Sequence, residues 1–204
     1  ELAISLLEMG IDAMKIWPLD YAAEASQGYW ISDVDLKTGL EPFDKIRRAV
    51  GDKMAVAYEL HSLWSRPQAI KIAQALEPYK PMWVEDPVFM EHMSSIGEVA
   101  RATRSPIAVG ETRGGRGDFR SLIELNALSM VIMDVTWCGG VSESKKIATM
   151  AEPYQTPVAF HDCTGPVVLT ASTHLSLHAP NALIQETVRA FYTGWYKELV
   201  TALP

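Results

Sequence analysis

Met54–Glu59 reads MAVAYE, Met82–Glu85 reads MWVE and Ile107–Glu111 reads IAVGE. Each is a short apolar run, partly β-branched or aromatic, that stops on a glutamate. Runs of that length and composition, bounded by polar residues, Gly or Pro, predict buried strands. The glutamates recur evenly, 26 residues from Glu59 to Glu85 and 26 from Glu85 to Glu111. Working outward, the same kind of run appears at Ala13–Trp17 (AMKIW), Val131–Val135 (VIMDV), Pro157–His161 (PVAFH) and Ala182–Glu186 (ALIQE). From Glu111 the polar strand ends continue at Asp134, His161 and Glu186, at intervals of 23, 27 and 25 residues.

Amphipathic stretches lie between the runs, among them Pro67–Leu76, Gly117–Leu125 and Ser142–Ala151. Their apolar residues recur at three and four positions, which predicts helices with one buried face. Strands that are apolar throughout and alternate with helices predict a parallel sheet covered by helices. Five successive units of nearly one length favour a closed (β/α)8 barrel, in which every unit is equivalent, over an open sheet with unequal edges and centre. Seven strands are visible. The chain also opens directly on a helical segment, ELAISLLEMG, so it reads as one barrel domain over residues 1–204 within a longer protein. The exception to the even spacing is Pro18–Leu40, predicted to be a long functional loop in which Tyr21, Tyr29 and Trp30 are buried.

Composition sets outer bounds. At 48% hydrophobic and 21% charged residues, the chain resembles an ordinary globular protein. A net charge of −7 argues against nucleic acid or an anionic membrane as partner. No run is long enough to predict a transmembrane helix. Two cysteines, Cys138 and Cys163, are too few for a disulfide framework, so reduced thiols and a cytoplasmic location are expected.

In parallel barrels the C-terminal strand ends form the active site. Three carboxylates there, Glu59, Glu85 and Glu111, point towards one place and repel one another unless a cation joins them. An all-oxygen donor set suits Mg²⁺ better than zinc. Asp134 and His161 end adjacent strands about 5 Å apart, close enough for the aspartate to fix the imidazole tautomer and raise its basicity. His174 and His178 are expected to be buried, satisfied histidines, and His92 a surface residue.

Read together, WVEDP (Trp83–Pro87), IAVGE (Ile107–Glu111), MDVTWCGG (Met133–Gly140), VAFHD (Val158–Asp162) and NALIQE (Asn181–Glu186) resemble the mandelate racemase subgroup of the enolase superfamily. The resemblance covers essentially the whole chain. It implies Glu59, Glu85 and Glu111 as Mg²⁺ ligands and His161 with Asp134 as the base. Glu186 would hydrogen-bond the substrate carboxylate or its enolate. Lys15, in Lys15-Ile16-Trp17, matches the first lysine of the subgroup's Lys-x-Lys, and Lys15 and Trp17 are expected at the substrate. Trp17 stands where a second base would be, which argues against two-base racemisation. Glu59 stands where the subgroup commonly has Asp. His61, two residues further on, is similar to the acid of galactonate dehydratases. The expected activity is therefore dehydration of a small-molecule sugar acid to a 2-keto-3-deoxy acid. Epimerisation, lactone cycloisomerisation and ligand binding with little catalysis are the alternatives. The resemblance further implies a capping domain built from sequence outside these residues, and a homo-oligomer.

Overall fold

A computed structural model describes residues 1–204. The chain forms two compact units, Glu1–Ala108 and Val109–Pro204.

The first unit runs α1 (Leu2–Glu8), β1 (Ala13–Ile16), α2 (Asp20–Ser26), α3 (Asp33–Val50), β2 (Ala55–Glu59), α4 (Arg66–Leu76), β3 (Val84–Glu85) and α5 (Met93–Ala102), and enters β4 (Ile107–Val109). Its strands are parallel and pair in chain order. Lys15 lies opposite Ala57, Glu59 opposite Glu85, and Glu85 opposite Ala108. The register therefore sets the last residues of β2 and β3 side by side. Helix α3 begins where Ser32 accepts from the Asp35 amide and donates to the Asp35 carboxylate, a side-chain cap for amides the helix leaves unpaired. At its other end Arg47 donates to the carbonyls of Met54, Tyr79 and Lys80, pinning the helix to the entrance of β2. Tyr58, fully buried on β2, donates its hydroxyl to the Gly39 carbonyl at 2.8 Å, so this buried polar group is satisfied.

The predicted long loop at Pro18–Leu40 is a correction. Helix α2 and the start of α3 occupy most of it. Nor are its aromatic rings buried: Tyr21, Tyr29 and Trp30 are 47%, 69% and 67% exposed. Leu19, Ala22, Ala23 and Ile31 fill the core instead, leaving the rings to lie on the surface. Tyr29 packs on Phe89, and the Lys71 ammonium sits over Trp30.

The second unit contains Val109 of β4, then α6 (Gly115–Glu124), β5 (Met130–Met133), α7 (Val141–Ala151), β6 (Val158–Phe160), α8 (Pro166–His178), β7 (Ala182–Gln185), α9 (Arg189–Thr193) and α10 (Tyr196–Leu199). β5, β6 and β7 are parallel, with Met133 opposite Phe160 and Phe160 opposite Gln185. Phe119 and Leu122 of α6 and Ile147 and Ala151 of α7 supply the buried helix faces that their periodicity predicts.

Two further expectations need correction. The strands at either end of the order are less buried than predicted: β1 is half-buried throughout, and Leu183 of β7 is 56% exposed. Each pairs with a single neighbour. His174 and His178 are exposed rather than buried, because α8 turns Leu169, Ser172 and Leu175 inward. His92 is at the surface, as expected. Cys138 and Cys163 are not joined in a disulfide. No helix is long and apolar enough to cross a membrane.

Candidate active site

The predicted site residues lie at or just beyond the C-terminal ends of the strands. Glu59 and Glu85 are the last residues of β2 and β3. Glu111, Asp134, His161 and Glu186 follow the ends of β4, β5, β6 and β7.

In the first unit both carboxylates are fully buried. Lys15 places its ammonium between them, 2.7 Å from Glu85 Oε1 and 3.2 Å from Glu59 Oε2. The indole N–H of Trp83 donates to Glu85 Oε2 at 2.8 Å. Burial pushes Glu85 towards its neutral form, but the Lys15 charge and the hydrogen bonds around the carboxyl outweigh burial and hold it below the ordinary carboxylate range.

Glu59 shows what its extra methylene does. The side chain turns back over its own backbone, and Oε1 accepts from the amides of Leu60 and His61 at 2.9 and 2.7 Å. The chain curls around that oxygen, with His61 and Ser62 in the left-handed region at φ 49° and 57°. Two successive non-glycine residues in that region store strain, a feature that clusters at functional sites. The strand therefore does not continue to His61, so the alternation that aligns residues i and i+2 does not apply. His61 is fixed differently: its Nδ1 lies 2.8 Å from Asp20 Oδ2, and Trp17 meets its ring edge-on at 6.1 Å.

In the second unit His161 is buried, with Nδ1 2.9 Å from Asp134 Oδ2. Its Nε2 lies 3.4 Å from Glu111 Oε2. Asp134 also accepts from the Thr164 hydroxyl at 3.2 Å and from the amides of Thr136 and Trp137 at 2.7 and 3.3 Å. Burial alone would raise the Asp134 carboxyl, but these hydrogen bonds, led by that from His161, and the imidazole charge leave it lowered. Trp137 stacks on the imidazole at 5.3 Å between centroids. The half-buried Glu186 is anchored by its amide, which donates to Phe160 O at 2.9 Å.

Sequence reasoning assigned no role to Asp20, Trp83, Trp137 or Thr164. Trp83 was legible, since it precedes Glu85 by two residues on a strand and shares its face. Trp137 and Thr164 lie inside or beside the quoted motifs, but their roles depend on a turn and a helix entry that spacing does not define. Asp20 had no signal, because its partner is 41 residues away.

A parallel β/α fold with carboxylates and an Asp–His pair on its C-terminal strand ends defines a class, the barrel proteins that assemble their chemistry on that rim. The chain belongs to the enolase C-terminal domain-like family, whose model matches residues 1–204, and its strands and helices are those of the family's (β/α) barrel. It is 33% identical over 198 residues to a D-xylonate dehydratase of Haloferax volcanii, covering 95% of this chain and 47% of the relative. It is 37% identical over 156 residues to a D-galactonate dehydratase of Ralstonia nicotianae, covering 76% of this chain and 41% of the relative. The chain thus spans about half the length of the curated relatives it matches. An enolase of the mandelate racemase subgroup from Agrobacterium tumefaciens has a crystal structure similar to all of this chain and 55% of its own, with a TM-score of 0.96 and 58% identity.

Proposed function

We propose that this chain is the barrel of a Mg²⁺-dependent dehydratase acting on a small-molecule sugar acid. The observation that carries the reading is the buried His161, oriented by Asp134 through Nδ1. A neutral imidazole held that way presents Nε2 as a base. The two aligned relatives named as dehydratases of sugar acids support the choice of reaction.

The donor set fits the metal. Glu59 and Glu85 are buried and side by side, with two carboxylates against the one ammonium of Lys15. A hard cation compensates such an excess of oxygen charge. In this proposal Glu59, Glu85 and Glu111 hold Mg²⁺, which when bound stabilises the negative charge that develops on the substrate carboxylate.

The remaining steps belong to the chain's own residues. His161 takes the C2 proton on Nε2. The C2 electron pair forms the C2–C3 double bond, and the C3–O bond breaks. His61 gives a proton to the departing hydroxyl, which leaves as water. The enol product gains a proton at C3, releases the proton of its C2 hydroxyl and becomes the 2-keto-3-deoxy acid. Glu186 and Lys15 bind the acid end of the substrate, and Trp17 is a further substrate-binding residue. Screening the full-length protein against a library of sugar acids for 2-keto acid formation tests this reading. His161→Asn is expected to abolish turnover while retaining the fold. Turnover of that variant at the wild-type rate overturns the assignment.

A further inference from the structure

One side chain ties the ends of β6 and β7 together. Gln185, the last residue of β7, donates its two amide N–H groups to backbone carbonyls, to Phe160 O at 3.2 Å and to Glu186 O at 2.8 Å. Its oxygen accepts from the Ser176 hydroxyl of α8 at 3.0 Å. An amide oxygen turned towards two carbonyls would be repelled, so the side chain has one satisfied orientation. We infer that Gln185 is a positioning residue that holds Glu186 in place relative to His161. This rests on the dehydratase reading above, in which His161 is the base and Glu186 meets the acid end of the substrate.

Four observations carry the inference. The tied carbonyls adjoin the site: Phe160 immediately precedes His161, and the other carbonyl belongs to Glu186 itself. The backbone ladder defines this end of the sheet loosely, because the β6–β7 register shifts between Val158 and Ala159. The Glu186 amide meets Phe160 O at 2.9 Å, and Gln185 adds a second donor to that carbonyl and a first to the carbonyl of Glu186. Thirdly, Gln185 is half-buried against α8, where an apolar side chain would pack without needing partners. An amide there is explained if its hydrogen bonds are what the position requires. Finally, the residues that follow the two site residues are tied as well, since the Thr187 hydroxyl donates to Asp162 Oδ2 at 3.4 Å.

Gln185→Met, which keeps the length and loses both donors, tests it in the full-length protein, together with Ser176→Ala and Ser176→Thr. A substrate that follows a displaced Glu186 still binds, but its C2 proton no longer meets His161 Nε2. Gln185→Met should therefore lose about 10- to 100-fold in kcat, with KM within about twofold. Ser176→Ala releases the Gln185 oxygen and should lose about threefold, whereas Ser176→Thr keeps the hydroxyl and should restore the rate. Adding Ser176→Ala to Gln185→Met should cost nothing more, because the hydroxyl acts through Gln185. Crystal structures of wild type and Gln185→Met should show the Glu186 carboxylate displaced from the His161 ring by about 0.5–1 Å in the variant. An undisplaced Glu186, a loss confined to KM, or a fall in kcat that only tracks the folded fraction overturns the inference. If wild type dehydrates no sugar acid, the dehydratase reading fails, and the crystal structures alone decide whether Gln185 positions Glu186.

Discussion

The ammonium of Lys15 lies 2.7 Å from Glu85 Oε1, and the same nitrogen reaches Glu59 Oε2 at 3.2 Å. Without a metal, Lys15 is thus a counter-charge for two buried carboxylates. Lys15→Met leaves those charges facing each other, and removing one partner of a buried pair costs about 3 kcal/mol. The metal-free variant should therefore melt below wild type. Added Mg²⁺ should raise its melting temperature more than it raises that of wild type, because binding relieves a larger repulsion. Thermal unfolding of both proteins with and without Mg²⁺ measures the difference, and equal shifts would show that Lys15 and the metal do not share this charge.

Asp134 gives a pH dependence with a definite sign. Its folded carboxyl lies below the ordinary range despite burial, chiefly through the hydrogen bond from His161. A depressed acid contributes stability above its unfolded pKa of about 4 and loses it as the pH falls through the folded value. Asp134→Asn should then cost about 1.5–3 kcal/mol at pH 7, as expected for hydrogen bonds to a charged group. The gap between the two proteins should close as the pH drops below 4. Urea unfolding at a series of pH values follows it; a gap independent of pH contradicts the assignment.

Gly28 is where backbone sterics fix the segment beside His61. Its φ is 72°, and a Cβ there would stand 1.8 Å from the Leu63 carbonyl oxygen. Its own carbonyl accepts from the Ser65 amide at 3.0 Å. Gly28→Ala combines a strained conformation with a backbone clash, at about 3 kcal/mol. Denaturant unfolding should show that loss. A neutral substitution would mean that the turn between α2 and Ile31 relaxes freely.

The legible part of the molecule was its periodicity. Strand ends at Glu59, Glu85, Glu111, Asp134, His161 and Glu186 follow from repeat length, and the Asp134–His161 contact follows from adjacent strands. Pro18–Leu40 was not legible, because burial there depends on which residues of two short helices face inward. Leu19 and Ile31 win those places over larger aromatic rings that composition alone would bury. The setting of His61 was not legible for a related reason. Strand alternation assumes that the strand continues, whereas the longer Glu59 side chain captures two following amides and turns the chain. His61 then meets Asp20, and no count of residues between strand ends records that turn.

Trp137 holds the other histidine by its face. It stacks on His161 at 5.3 Å and 28°, while 42% exposed, so it contributes little to the core. Its amide also donates to Asp134 at 3.3 Å, a bond that survives any side-chain change. Trp137→Ala therefore removes the stacking and keeps the Asp134 contact. The imidazole then rotates more freely about the one bond that Asp134 supplies, and productive orientation becomes rarer. Loss of a ring that only orients the base should lower kcat about 10-fold, with the melting temperature nearly unchanged. Trp137→Phe keeps an aromatic face and should recover most of the rate. Since the affected step is proton abstraction, α-proton exchange should fall with dehydration. Measuring both rates checks this, and a Trp137→Ala protein that exchanges at the wild-type rate removes Trp137 from the base's support.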